Sequence, residues 1–276
     1  MVQVAVAQYA PGQDKVTNLA TAEWAVADAA ARGARVVVLP EYAMFTAPRM
    51  DQRFVAAAEP LDGPFGRGLS ELAQRYGLVV VAGMNEALPS DPERFANTQI
   101  AVGPSGEILA EYRKLHLYDA FGVTESAVVR PGDVAAPHTF TVPHADPAAP
   151  ADANSLTFGL QTCYDLRFPE VTRRIVDAGA EVVLVGAQWV PGPLKEYHWS
   201  TLVRARAIEN TIYVAAAGQN APTGSGTSMI VDPMGVVVAE LGERTAVAAA
   251  ELSIERVTEV RTRNPAVSLR RFSVTP

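Results

Sequence analysis

The 276-residue sequence predicts a layered α/β fold, with two similar sheets stacked face to face and helices on their outer sides. Three observations carry that expectation. Short valine-rich strands alternate with alanine-rich helical stretches. The order strand–helix–strand–helix–strand–hairpin occurs twice. A proline-, alanine- and aspartate-rich segment without periodicity, His138–Ser155, lies between the two runs and reads as an exposed connection.

The first run opens with Val2–Gln8, which alternates as a strand should. A helix follows from about Val16 to Ala31, with Gly33 where a helix stop belongs. Ala34–Leu39 is a buried strand closed by Pro40 and Glu41. A helix over Phe65–Tyr76, ended by Gly77, leads into the strand Leu78–Gly83. Thr98–Val102 and Ile108–Arg113 then pair around the turn Gly103–Gly106. The second run has strand Leu156–Thr162, helix Glu170–Ala178, strand Glu181–Val185, helix Lys195–Glu209 and strand Thr211–Ala217. Its hairpin joins Met229–Asp232 to Val236–Glu240 around Asp232–Gly235. The halves repeat as elements and not as residues, and candidate site residues come from both, so one domain over 1–276 with a shared core is expected.

Composition narrows the function. With 49% hydrophobic and 19% charged residues the chain is an ordinary globular protein. Its net charge of −7 disfavours a nucleic-acid partner, which needs a concentrated basic surface. No apolar run reaches the roughly 18 residues of a membrane span. The N-terminus reads as a strand and not as a signal peptide. A single cysteine makes neither an internal disulfide nor a multi-cysteine metal site, and a cytoplasmic location is expected. The four histidines fall at no metal-ligand spacing, so no metal is expected.

Polar residues at the carboxyl ends of strands are the first candidates for chemistry in an α/β fold. Glu41 follows Val-Val-Val-Leu-Pro, Lys114 ends the hairpin strand, and Cys163 ends the strand Phe158–Cys163. Singly, each has a bland reading: a cap, a surface charge, a small buried hydrophobe. Together they supply what amide hydrolysis needs: a nucleophile, a proton shuttle and positive charge at the developing oxyanion. A cysteine near positive charge can be largely deprotonated at neutral pH, and a buried glutamate can exchange protons there.

Three segments resemble the signatures of the nitrilase superfamily of carbon–nitrogen hydrolases. They are Leu39–Tyr42 (Leu-Pro-Glu-Tyr), Tyr112–Asp119 (Tyr-Arg-Lys-Leu-His-Leu-Tyr-Asp) and Gln161–Glu170 (Gln-Thr-Cys-Tyr-Asp-Leu-Arg-Phe-Pro-Glu). They stand in the family's order, and the match runs from the first strand to the hairpin at Asp232. The resemblance implies a four-layer αββα sandwich with a Glu–Lys–Cys triad and no metal or organic cofactor. Glu41 would be general base and acid, Lys114 the oxyanion stabiliser and Cys163 the nucleophile. Glu125 would orient Lys114, and the Tyr164 N–H would be a second oxyanion donor. A thioester on Cys163 would form as ammonia leaves, and water activated by Glu41 would release the acid.

The run Tyr164–Glu170 is most similar to the branch that hydrolyses ω-amides of small dicarboxylates, such as α-ketoglutaramate, and deaminated glutathione. There Arg167 would bind the substrate carboxylate through its planar donors, while Gln188 and Trp189 would line the pocket. The helix His198–Asn210, with Arg204, Arg206 and Glu209 among apolar positions, resembles the family's dimer-forming helix, and at least a homodimer is expected. A nitrilase or an N-carbamoyl amide hydrolase would use the same triad. A non-catalytic interaction module of this fold is disfavoured by the intact triad. A Cys–His protease lacks a matching histidine motif, and Gly224–Gly226 lacks the strand–helix setting of a dinucleotide fingerprint.

Overall fold

The computed structural model describes residues 1–143 and 155–275. Six strands form the first sheet: β1 (Val2–Gln8), β2 (Val36–Val38), β3 (Val79–Ala87), β4 (Phe95–Val102), β5 (Ile108–Arg113) and β12 (Ala246–Leu252), in the order β12-β1-β2-β3-β4-β5. The second sheet contains β6 (Thr139–Val142), β7 (Leu156–Thr162), β8 (Val182–Ala187), β9 (Tyr213–Gly218), β10 (Met229–Val231) and β11 (Val237–Glu240), in the order β11-β10-β9-β8-β7-β6. Each sheet has a parallel triplet at its heart, β1-β2-β3 and β7-β8-β9. An antiparallel hairpin flanks each triplet on one side and a single antiparallel strand closes the other.

Helices α1 (Lys15–Ala31), α2 (Gln52–Ala57), α3 (Pro64–Tyr76), α4 (Pro169–Asp177), α5 (Lys195–Asn210) and α6 (Ile254–Arg263) complete the fold. Their ends follow local chemistry. Asp14 caps α1 by accepting the Thr17 N–H at 2.7 Å, and α3 starts on Pro64 and stops at the left-handed Gly77.

Strand periodicity assigns the layers. Val36 and Val38 face the second sheet, joining Val4, Val6, Val79 and Val81 against Phe158, Leu160, Val182, Leu184 and Ala215. Val37, between them, points the other way and packs with Ala25, Val26, Leu69 and Leu72 of α1 and α3. On the far side, Val183, Val185 and Val214 pack on Ile175, Trp199 and Val203 of α4 and α5. The expected αββα order is therefore present.

Two edge strands were not anticipated. Thr139–Val142 pairs with β7, so the front of the expected connection is ordered sheet; residues 144–154 of that segment lie outside the described residues. Ala246–Leu252 crosses back to pair with β1 over seven residues, closing the first sheet with the far end of the chain. Among the described residues, no helix is long and apolar enough to cross a membrane.

Candidate active site

The two sheets approach closely where β2 ends, with Gly186 of β8 against the backbone of Leu39, Pro40 and Glu41. Pro40 stops ladder pairing, and Glu41 follows in a turn that enters the left-handed region at Tyr42 (φ 56°). This turn is seated in two glycine notches. A Cβ on Gly83 of β3 would lie 2.8 Å from the Glu41 Cα and the Tyr42 N, and one on Gly186 of β8 would lie 3.2 Å from the Glu41 N. At Gly83 a side chain would force the backbones apart, and at Gly186 it would need a shift of a few tenths of an ångström. Gln219, after β9, fixes the turn by donating to the Glu41 carbonyl at 2.8 Å.

Cys163 begins a 3-10 turn, Cys163–Arg167, directly after β7, and it is also left-handed, with φ 46°. A non-glycine residue held there stores strain, and such strain concentrates at functional sites. Asp165, fully buried, keeps the turn in place. It accepts the Thr162 N–H at 3.4 Å, the Tyr112 hydroxyl at 2.7 Å and the His116 N–H at 3.0 Å. The nucleophile candidate is thus tied to the segment that carries Lys114. Tyr164 follows in the first turn, where backbone N–H groups have no acceptor within the helix.

Lys114 is 2% exposed and donates to Glu41 Oε1 at 3.0 Å and to Glu125 Oε1 and Oε2 at 3.0 and 2.9 Å. Glu41, 1% exposed, also accepts Asn97 Nδ2 at 2.7 Å and, on Oε2, the Gln188 N–H at 2.6 Å. Glu125 accepts the Tyr42 hydroxyl at 2.6 Å. The Cys163 thiol donates to the Gln188 carbonyl at 3.6 Å. Gln188 therefore faces both Glu41 and Cys163 with its backbone.

Two carboxylates share one ammonium, and this sets the protonation states. Burial opposes the Lys114 charge, but attraction to Glu125 and Glu41 overrides it and holds the ammonium well above its ordinary value. Burial likewise works against the Glu125 carboxylate, and Lys114 with the Tyr42 hydroxyl outweighs it, leaving Glu125 below the usual range. Burial pushes the Cys163 thiol well up, and repulsion from Glu41 adds to this more than Lys114 relieves it. The positive charge that a deprotonated cysteine would draw on is shared here with Glu41 and Glu125. Burial first, and Glu41 second, therefore favour the neutral thiol over the thiolate.

A cavity of about 640 Å³ opens over these groups, a size suited to a small substrate. Glu41, Lys114, Glu125, Cys163, Tyr164, Gln188 and Trp189 all line it, so seven of the eight residues singled out in the sequence converge. Arg167 is the eighth and is not on the wall. Its guanidinium stacks over Trp189 at 5.2 Å and Tyr164 at 6.0 Å, with Nη2 3.3 Å from His198 Nδ1. Arg206, expected to serve a surface of α5, is buried and donates to the Leu166 carbonyl at 2.7 and 3.0 Å, bracing the Cys163 turn.

Sequence reasoning missed Tyr42, Asn97, Lys195 and Gln219. Gln219 had a signal, since it is an amide just past the apolar strand β9, whereas Asn97 sits beside Thr98 and Gln99 and did not stand out. Nothing local showed that both act on Glu41.

A four-layer sandwich whose inter-sheet cavity holds a thiol beside paired carboxylates and an ammonium defines a class of hydrolytic α/β enzyme. The chain belongs to the carbon–nitrogen hydrolase family, whose model matches residues 3–262, and with it to the nitrilase superfamily. It is accordingly a hydrolase of carbon–nitrogen bonds other than peptide bonds. It is 38% identical over 248 residues to the deaminated glutathione amidase of Escherichia coli O157:H7, covering 90% of this chain and 89% of that protein. It is 29% identical over 259 residues to the human omega-amidase NIT2, covering 91% and 88%. Among solved structures, it resembles a variant amidase from Nesterenkonia sp. AN1 that carries the acetamide moiety of fluoroacetamide on its active-site cysteine. The TM-score is 0.78 at 26% identity, covering 98% of this chain and 94% of that one.

Proposed function

We propose that this protein is a cysteine-dependent amidase that converts a small carboxylate-bearing amide to its acid and ammonia. The observation that carries the reading is the convergence of Glu41, Lys114 and Cys163 on one cavity floor, with Gln188 bridging Glu41 and Cys163. Glu41 takes the thiol proton as sulfur attacks the amide carbon, so the neutral resting thiol is the reactant state the base requires. Lys114 and the Tyr164 N–H stabilise the oxyanion, and Glu125 orients Lys114. Glu41 then returns the proton to departing ammonia, leaving a thioester on Cys163, and activates the water that cleaves it.

The relatives' names support an ω-amide or deaminated glutathione as substrate. Gln188 and Trp189 frame it, and Arg167 acts on the cavity through the Trp189 and Tyr164 rings it stacks on. A cytoplasmic homodimer belongs to the same proposal: the single cysteine is unpaired, and α5 exposes Tyr197 and Ile208. Sedimentation of a Tyr197→Glu variant as a monomer would support that face.

The testing experiment measures ammonia and acid from α-ketoglutaramate, an aliphatic nitrile and an N-carbamoyl amino acid. The reading expects turnover of the first to exceed the others, with loss in Cys163→Ala. Preference for the nitrile or the carbamoyl compound would move the protein to another branch of the family.

A further inference from the structure

The charged groups on the cavity floor satisfy one another, but two cations in the wall, Arg49 and Lys195, do not join them, and of these only Lys195 is buried. Lys195, the first residue of α5, lines the cavity and is only 6% exposed. Its Nζ donates to the Tyr118 hydroxyl at 3.0 Å, and no carboxylate pairs with it among the described residues. Three aromatic rings surround it, with centroids 4.6 Å (Phe121), 4.9 Å (Tyr118) and 5.3 Å (Trp189) from Nζ. The residue before it, Leu194, takes the left-handed φ of 58°, a backbone cost that delivers the side chain to this place. The Lys195 carbonyl meanwhile holds Trp189 Nε1 at 2.7 Å, so the lysine and the ring behind it form one unit.

A buried ammonium without a counter-ion is expensive, and ring faces repay only part of its lost hydration. It lines the substrate-sized cavity and has N–H donors beyond the one given to Tyr118. The other cations do not compete for the role. Lys114 is committed to two carboxylates, Arg167 stands behind Trp189, and Arg49 is exposed.

We infer that Lys195 is the anion-recognition group of this site and binds the carboxylate at the end of the substrate remote from the scissile amide. The inference rests on the amidase reading for the identity of the substrate and deepens it. The Lys195 side chain is itself largely shielded from solvent, which strengthens a charge-assisted hydrogen bond from Nζ to the carboxylate. A neutral amide of the same length leaves the ammonium unpaired. Lys195 is thus a specificity determinant, while Glu41, Lys114 and Cys163 do the chemistry.

The test reads binding, so it stands apart from turnover. Calorimetry compares glutaramate with the uncharged, near-isosteric glutaramide on the Cys163→Ala protein. Lys195 is kept, or changed to Met, Gln or Arg, and Arg167→Met is run beside them. With Lys195 present, glutaramate binds about 10- to 100-fold tighter than glutaramide, the range expected of one charge-assisted hydrogen bond. That ratio falls to near one in Lys195→Met and in Lys195→Gln, and returns in large part in Lys195→Arg. It survives in Arg167→Met. An absent preference in the Lys195-containing protein overturns the inference, as does a preference that persists without Lys195 or collapses only in Arg167→Met. Failure of the amidase reading looks different: the unaltered enzyme releases no ammonia from glutaramate, whatever the binding ratio.

Discussion

The two halves share a topology and use it for different ends. At the carboxyl end of the first strand in each parallel triplet, the first half has Gln8 and the second has Cys163 just past Thr162. Gln8 is fully buried and bonded on every side, donating to the Gly242 and Arg244 carbonyls and accepting from Ser228. Cys163 has a strained backbone, a weak bond to Gln188 and an open face on the cavity. After the second strand, the first half places Glu41 and the second places Gln188, which supplies backbone groups. One half therefore contributes charge, the other a nucleophile and dipoles. The lesson is that equivalent strand ends can be used either to tie the sandwich together, as at Gln8, or to hold a reactive group against the cavity, as at Cys163.

If the halves act as one machine, breaking either should cost the same. Cys163→Ala and Glu41→Gln are each expected to lower amide turnover by about 10⁴-fold, with no further loss in the double variant, because members of a catalytic unit are strongly non-additive. Ammonia-release rates check this. Additive losses would mean the halves act independently.

The next effect is on stability. Lys114→Met strands two buried carboxylates, and chemical denaturation should show a loss of about 3–5 kcal/mol. Adding Glu125→Gln removes one stranded charge and should recover part of it. The sign of the pH dependence follows. Glu125 is held below its unfolded value, so its contribution is present above the ordinary carboxylate range and is lost as pH falls through the depressed value. Lys114 is raised, so its contribution is present up to its unfolded value and is lost only as pH climbs through the raised one.

The glycine notches give a smaller and graded effect. Gly83→Ala forces backbone apart from a 2.8 Å approach and should cost about 1–3 kcal/mol and displace Glu41. Gly186→Ala, at 3.2 Å, should cost less in melting temperature and in kcat. A reversed order would show that the second sheet, and not the first, sets the position of Glu41.

The smallest signal is spectroscopic. Burial and Glu41 raise the thiol, so thiolate absorbance near 240 nm should stay absent through the ordinary cysteine range of about 8.5. In Glu41→Gln, where one repulsive charge is gone, ionisation should begin at lower pH.

What could be read from sequence was what depends on neighbours in the chain. Valine alternation marked β1 and the triplet strands, and Pro40, Gly77 and the turn at Asp232 marked where elements stop. The three signatures identified Glu41, Lys114 and Cys163 because short stretches of chain surround each. The alanine-rich β12 was hidden, since the strand it pairs with, β1, lies at the other end of the chain. Asn97 shares a strand with apolar residues, and only the stacking of the sheets shows that its amide meets Glu41 and Glu125. Lys195 read as an ordinary helix-start lysine, because the rings that enclose it come from two other segments. That Lys114 is shared by two acids, and so relieves the thiol only in part, is likewise a property of the assembled cluster.

The central claim is that charge from the first half drives covalent chemistry on the nucleophile of the second. Its most direct test is acid-quenched peptide mass spectrometry of the enzyme turning over glutaramate, with hydroxylamine added in parallel. The account predicts a glutaryl mass on the peptide containing Cys163, lost on hydroxylamine treatment with release of the hydroxamate. Steady ammonia release without that adduct or any hydroxamate, or an adduct on another residue, would contradict it.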